Sequence, residues 1–134
     1  MIQTQRNKYL ESTVQTATPA QLLIMLSDGA IRFCRLGIEA LKSDNFQEAN
    51  NNLGKAQDII SEFVITLDRT SPIAEHLLRL YEYFGYRLIE ANTQKSLVPV
   101  EEVLAYLIEL KETWIQAAKL SQIPAAVNSG SLNG

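Results

Sequence analysis

Apolar residues recur along this chain at intervals of three and four, the spacing of a helix with one buried face. Four segments carry the pattern, and the breaks between them are short. Thr18-Pro19 offers an N-cap followed by a proline at the first helical position, which predicts a first helix running to about Lys42. Ser43-Asp44-Asn45 follows as a loop, with Asp44 or Asn45 placed to cap a second helix that reaches roughly Asp68. Thr70-Ser71-Pro72 repeats the cap-then-proline signal for a third, ending near Thr93. Val98-Pro99, with Glu101 and Glu102 in the next turn, opens a fourth that ends near Leu120; acids suit the positive end of the helix dipole. No segment alternates as a strand does. Four long helices and short loops predict an all-α, antiparallel up-down four-helix bundle with a short extra N-terminal segment.

Turning each helix by about 100° per residue separates the faces. On the second helix Phe46, Ala49, Leu53, Ala56, Ile60, Phe63, Val64 and Leu67 make one stripe, a core face and little more. The first helix has more. Leu22, Leu23, Leu26, Ala30, Phe33, Cys34, Gly37, Ala40 and Leu41 form its core face. Ile24, Ile31 and Ile38 make a second ridge beside it, and Met25 and Leu36 lie on the other flank. The apolar arc spans on the order of 240°, far beyond what two neighbours in a bundle are expected to cover. The third helix has a main stripe of Ile73, Leu77, Leu80, Tyr81, Phe84, Leu88 and Ala91 with a weaker shoulder at Leu78 and Ile89, and the fourth a stripe of Val100, Val103, Leu107, Leu110, Trp114 and Ala117 with a shoulder at Leu104, Ile108 and Ile115. An uncovered apolar ridge predicts an interaction surface, since one fully buried Ile is worth roughly 1.5–3 kcal/mol. A homodimer or a lid made from Tyr9, Leu10 and Val14 is the alternative way to bury it.

Composition narrows the class. The chain has 134 residues, suited to one domain: residues 1–120 as the bundle and 121–134 as a flexible, small and polar tail. A net charge of −3 supplies no field for a phosphate backbone, so nucleic acid is not an expected partner. No apolar run approaches the ~20 residues that span a bilayer, so membrane insertion is not expected. A lone Cys34 and a start without an apolar leader indicate a cytosolic protein.

Catalytic and metal signals are poor, and neither an enzyme nor a cofactor is expected. The one histidine, His76, excludes a di-iron bundle built from two Glu-x-x-His units, and no phosphate-loop, zinc or nucleophile motif occurs. Cys34 reads as a small core hydrophobe, Gly29 as a point of close helix packing, and Trp114 as a core anchor.

The order of segments carries a resemblance. Tyr9, then TATPAQLLIMLSDGAIRF, KAQDIISEFVITLD, LYEYFGYRLIEAN and VEEVLAYLIELKETW together resemble the flagellar export chaperone family FliS over about residues 9–118. The resemblance implies a cytosolic helical bundle, monomeric without cargo, that needs no nucleotide. It would bind the C-terminal region of flagellin, prevent premature polymerisation and deliver the cargo to the secretion apparatus through the export gate component FlhA. The chain departs from the family's pattern at Ser27, where an aromatic is usual, at Gly85, where a basic residue is commoner, and at Ser71-Pro72, where a Gly-containing loop is frequent. Tyr9 matches the family's N-terminal tyrosine. Together with Leu10, Val14, Ile24, Met25, Ile31, Ile38, Leu78, Ile89, Leu104 and Ile108 it makes up the expected partner-binding set. Two other readings remain open here: a regulatory bundle that sequesters another flagellar factor, and a self-associating structural bundle.

Overall fold

A computed structural model describes residues 17–121, the side chain of Ser121 excepted. Within them lie α1 (Pro19–Lys42), α2 (Phe46–Thr66), α3 (Ala74–Gln94) and α4 (Leu97–Ser121). The expected Tyr9, Leu10 and Val14, and the tail beyond Ser121, fall outside the described residues.

The start of α1 is a capping box. The Thr18 side chain accepts from the Gln21 backbone N–H at 3.1 Å, and the Gln21 side chain accepts from the Thr18 N–H at 3.0 Å. Pro19 takes the first helical position, where its missing N–H costs nothing. At the far end Asp44 enters the left-handed region (φ 58°), and Asn45 then caps α2 by accepting from the Glu48 N–H. Lys95, also left-handed (φ 50°), turns α3 into α4 within two residues. Such short links make sequential helices antiparallel neighbours.

The third start differs from expectation. Pro72 lies in a turn and α3 begins at Ala74; the Ser71 hydroxyl accepts from the Ile73 N–H at 3.3 Å within that turn. Asp68 organises the preceding residues, accepting from both the Thr70 N–H (3.0 Å) and the Thr70 hydroxyl (2.6 Å). The fourth helix begins at Leu97, so Pro99 is its third residue and its first turn holds no acid.

The helices pack in a ring: α1 against α2 and α4, and α3 against the same two on the opposite side. Ala30, Cys34, Leu41, Ala49, Leu53, Ile60, Phe63, Tyr81, Phe84, Leu88, Val103 and Leu107 make one continuous core. The α1–α2 approach is close. A Cβ added at Gly37 would stand 2.7 Å from Leu53 Cδ2, and one at Gly29 2.9 Å from Ile59 Cδ1. Two expected core residues lie instead at helix starts, beyond the reach of their neighbours. Phe46 is half exposed beneath the Lys95 ammonium, 5.8 Å from its ring centre, and Ile73 is half exposed at the other end.

Candidate functional site: an apolar pocket at one end of the bundle

The expected ridge on the first helix is corrected by the structure. Ile31 is 7% exposed and Ile38 8%, both within the core cluster, and Ile24 is half-buried. The reason lies in how far round α1 its neighbours sit. Gly29 and Gly37 draw α2 in on one flank. α4 packs on α1 as well, with an ion pair between the Lys111 ammonium and Asp28 at the surface of that contact. The wide arc is therefore two stripes, one for each neighbour. No exposed ridge runs along this helix.

Of the other expected positions, Met25, Leu78 and Leu104 are half-buried, while Ile89 on α3 and Ile108 on α4 are exposed.

A pocket of about 390 Å3 opens elsewhere. In an antiparallel ring the start of α1, the end of α2, the start of α3 and the end of α4 meet at one end of the bundle, and the pocket lies there. Leu22 and Leu23 come from α1, Phe63 from α2, Leu67, Asp68 and Ser71 from the following loop, Leu77 and Tyr81 from α3, and Trp114 from α4; Ile73 stands between that loop and α3. Ile65, Ile73 and Leu120 add exposed apolar surface at the same end, Ile65 at 72%. Of the expected partner-binding residues that are described, none lines it. Its apolar walls were legible only as core positions, because each helix contributes a few residues from near one of its ends.

Two residues of the lining each carry a buried polar atom without a partner among the described residues. The Tyr81 hydroxyl and the Trp114 indole N–H are the buried side-chain polar atoms left without a hydrogen bond among the described residues. Tyr81 is 1% exposed and stacks on Phe63 with ring centres 5.0 Å apart; Trp114 is 7% exposed. Burial pushes the Tyr81 hydroxyl up to about 12, so it stays protonated at neutral pH. The one charged residue of the lining is Asp68, whose carboxyl is held below its ordinary value by the two hydrogen bonds from Thr70. No cation lines the pocket. It suits an apolar side chain.

A second polar group lies between α3 and α4, on the outer surface. Tyr83 donates its hydroxyl to Glu102 Oε1 at 2.7 Å, and Arg87 Nε donates to the same oxygen at 2.7 Å while its other arm reaches Glu90 at 2.8 Å. Hydrogen bonds from Tyr83 and Arg87 hold Glu102 below the ordinary carboxylate value, and the same carboxylate raises Tyr83. Cys34, sealed in the core, has its thiol pushed up to about 12 by desolvation. It is a packing residue, and among the described residues no group of His, Cys, Asp and Glu is placed to hold a metal ion. No described helix is long and apolar enough to cross a membrane.

An antiparallel four-helix bundle with an apolar end pocket is the class that fold and site define. The chain belongs to the FliS family: the model described as flagellar protein FliS matches residues 1–121. It is 35% identical over 116 residues to the flagellar secretion chaperone FliS of Bacillus subtilis (strain 168), covering 87% of each chain. Flagellar secretion chaperone FliSB of Pseudomonas aeruginosa PAO1 is also 35% identical, over 78% of this chain and 85% of its own. The Escherichia coli K12 FliS chaperone is 32% identical, over 78% and 79% respectively. The family and the all-α fold expected from the sequence are both borne out, and with them the assignment to the chaperones of flagellar export.

Proposed function

We propose that this chain is a cytosolic monomer that binds the C-terminal region of flagellin, keeps it from polymerising prematurely and passes it to the export gate through FlhA. Membership of the FliS family supports the chaperone role, and the end pocket is the observation that carries the binding. Its walls are mostly apolar, with Leu22, Leu23, Phe63, Leu67, Leu77 and Trp114 among them, and exposed Ile65 and Ile73 stand at the same end. An amphipathic segment unfolded on its own would lay its apolar side chains there and order itself on binding. The chemistry is that of recognition, with no bond made or broken in the cargo.

Light scattering on the eluting species tests this. The chain alone is expected as a monomer, and with the flagellin C-terminal region as a one-to-one complex. A tight dimer indifferent to flagellin would overturn the reading and favour a self-associating bundle. Leu77→Asp, placed in the pocket wall, is expected to abolish the complex; helicity measured by circular dichroism checks that the bundle has survived the change.

A further inference from the structure

Two stretches of chain adjoin the end pocket from outside the described residues, one before Ala17 on its rim and one after Ser121 at the end of α4. They differ in kind. Residues 11–16 read ESTVQT, a single apolar side chain among polar ones, whereas residues 122–127 read QIPAAV, five apolar residues in a row after Gln122. Residues 1–16 carry Arg6, Lys8 and Glu11, while no charged side chain stands between Gln122 and Gly134. The pocket lining is mostly apolar, and its one carboxylate, Asp68, already accepts two bonds from Thr70. An uncharged segment therefore fits it better than a charged one.

Helical geometry brings the second stretch to the pocket. Trp114, Ala118 and Ser121 follow one another at i, i+4 and i+7, so the chain leaves α4 on the face that carries Trp114 into the pocket wall. Seven residues at ~1.5 Å each put that exit about 10 Å beyond Trp114 along the axis. Pro124 has no N–H to extend a helix, and the residue before a proline is pushed toward extended backbone, so Ile123-Pro124 favours a turn off the axis. Three extended residues, at up to ~3.3 Å each, then span the way back, and Ala125, Ala126 and Val127 stand next in line. Leu120, 63% exposed just before the exit, adds uncovered apolar surface there.

We propose that residues 123–127 fold back into the end pocket of their own chain, Ile123 and Val127 supplying the side chains that fill it, so that cargo must displace them. The consequence for cargo rests on the flagellin reading above and adds the regulation of the same site. A tethered occupant competes at the high effective concentration of a short linker, so a stretch too short to bind as a free peptide suffices. Filling the pocket for two-thirds to nine-tenths of the time raises the apparent Kd for cargo by roughly three- to tenfold.

Trp114 is the single tryptophan of the chain, so its fluorescence reports on the pocket wall alone. The test uses the full chain carrying Ile123→Asp with Val127→Asp, beside a control carrying Ser129→Asp with Ser131→Asp, which adds the same charge further along. The first variant is expected to emit further to the red, as water enters the pocket, and to bind the flagellin C-terminal region roughly three- to tenfold more tightly. The control is expected to match the parent chain in both. Equal emission and affinity in all three chains would overturn the proposal, and so would the same gain in the control. Tyr9→Asp with Val14→Asp producing both changes in place of the tail variant would seat the N-terminal segment in the pocket and overturn it too. A parent emission that moves to the red on dilution would mean that the occupant belongs to a second copy, again against the proposal. Failure of every chain to bind flagellin would remove the flagellin reading, and the emission of the free chains would still decide where the tail lies.

Discussion

The α1–α2 seam and the α3–α4 seam are built from opposite materials. Between α1 and α2 Gly37 lies against Leu53 and Gly29 against Ile59, and the missing side chains let the two helices close on each other. Between α3 and α4 the outer contact is a carboxylate shared by a tyrosine and a guanidinium, with Tyr83 and Tyr106 both exposed and Tyr106 tilted against Phe84. Close packing is intolerant of added volume and of charge, because interiors are as dense as organic crystals. Water-facing polar contacts exchange one partner for another at little net cost. The bundle thus has a rigid half and a permissive half.

The largest effect expected from this contrast is that of a charge placed in each half. Ile31→Asp buries a carboxylate without a partner in the α1 half, which costs on the order of 3–5 kcal/mol and a large share of the stability of a domain of this size. Ile89→Asp, at a half-exposed position on α3, is expected within about 0.5 kcal/mol of the parent chain. Urea unfolding of the two variants compares them directly. Equal midpoints would show that Ile31 is not sealed, and the expected ridge on α1 would be restored.

Volume comes next. Gly37→Ala drives a methyl into Leu53, a core residue with no free side to retreat to, and overpacking of that kind costs about 1–3 kcal/mol. The better helix propensity of Ala returns up to ~1 kcal/mol, so a net loss of about 1–2 kcal/mol is expected. Gly29→Ala meets only the tip of half-buried Ile59 and is expected to be milder. A lowered urea midpoint with an unchanged slope is the signature to look for. Gly37→Ala as mild as Gly29→Ala would mean that the seam is looser than its geometry.

Gly54 and Gly85 sharpen the contrast from the other side. Nothing lies within 4 Å of a Cβ built on either, and both sit inside helices. Ala at each position is expected to stabilise the chain by roughly 0.5–1 kcal/mol, through a less flexible unfolded chain. The same change thus has opposite signs at Gly37 and at Gly54, and thermal melting of the two variants side by side reads that sign.

These residues also show what could be read from the sequence and what could not. The α1 start at Thr18-Pro19, the short turns and the core stripes are local signals, and the structure keeps them. The fate of Ile31 and Ile38 is not local. A helical wheel gives the angle of a side chain but not how closely each neighbouring helix approaches it, and here both α2 and α4 pack on α1. Phe46 and Ile73 fall on core stripes yet lie at helix starts, where no neighbour extends to cover them. The end pocket was illegible for a related reason, since five separated stretches of chain meet only once the ring has closed. One signal was available: Tyr81 and Trp114 are core-facing residues with polar atoms, and a core gives such atoms nothing to bond.

The smallest expected effect belongs to the permissive seam itself. Glu102→Gln keeps an oxygen able to accept from Tyr83 and Arg87 and removes only the charge. Because the folded chain holds the Glu102 carboxyl below its ordinary value, its contribution is complete above that ordinary value and is lost as pH falls through the depressed one. The parent chain should therefore be slightly the more stable at pH 7, and the two should converge once acid has protonated the carboxyl. Asp68 is depressed in the same direction, but it is common to both chains and cancels in the difference. Added salt should narrow the gap at pH 7, since the group lies in reach of counterions. A gap that neither acid nor salt closes would mean that Glu102 acts through packing, and the α3–α4 seam would then belong with the rigid half.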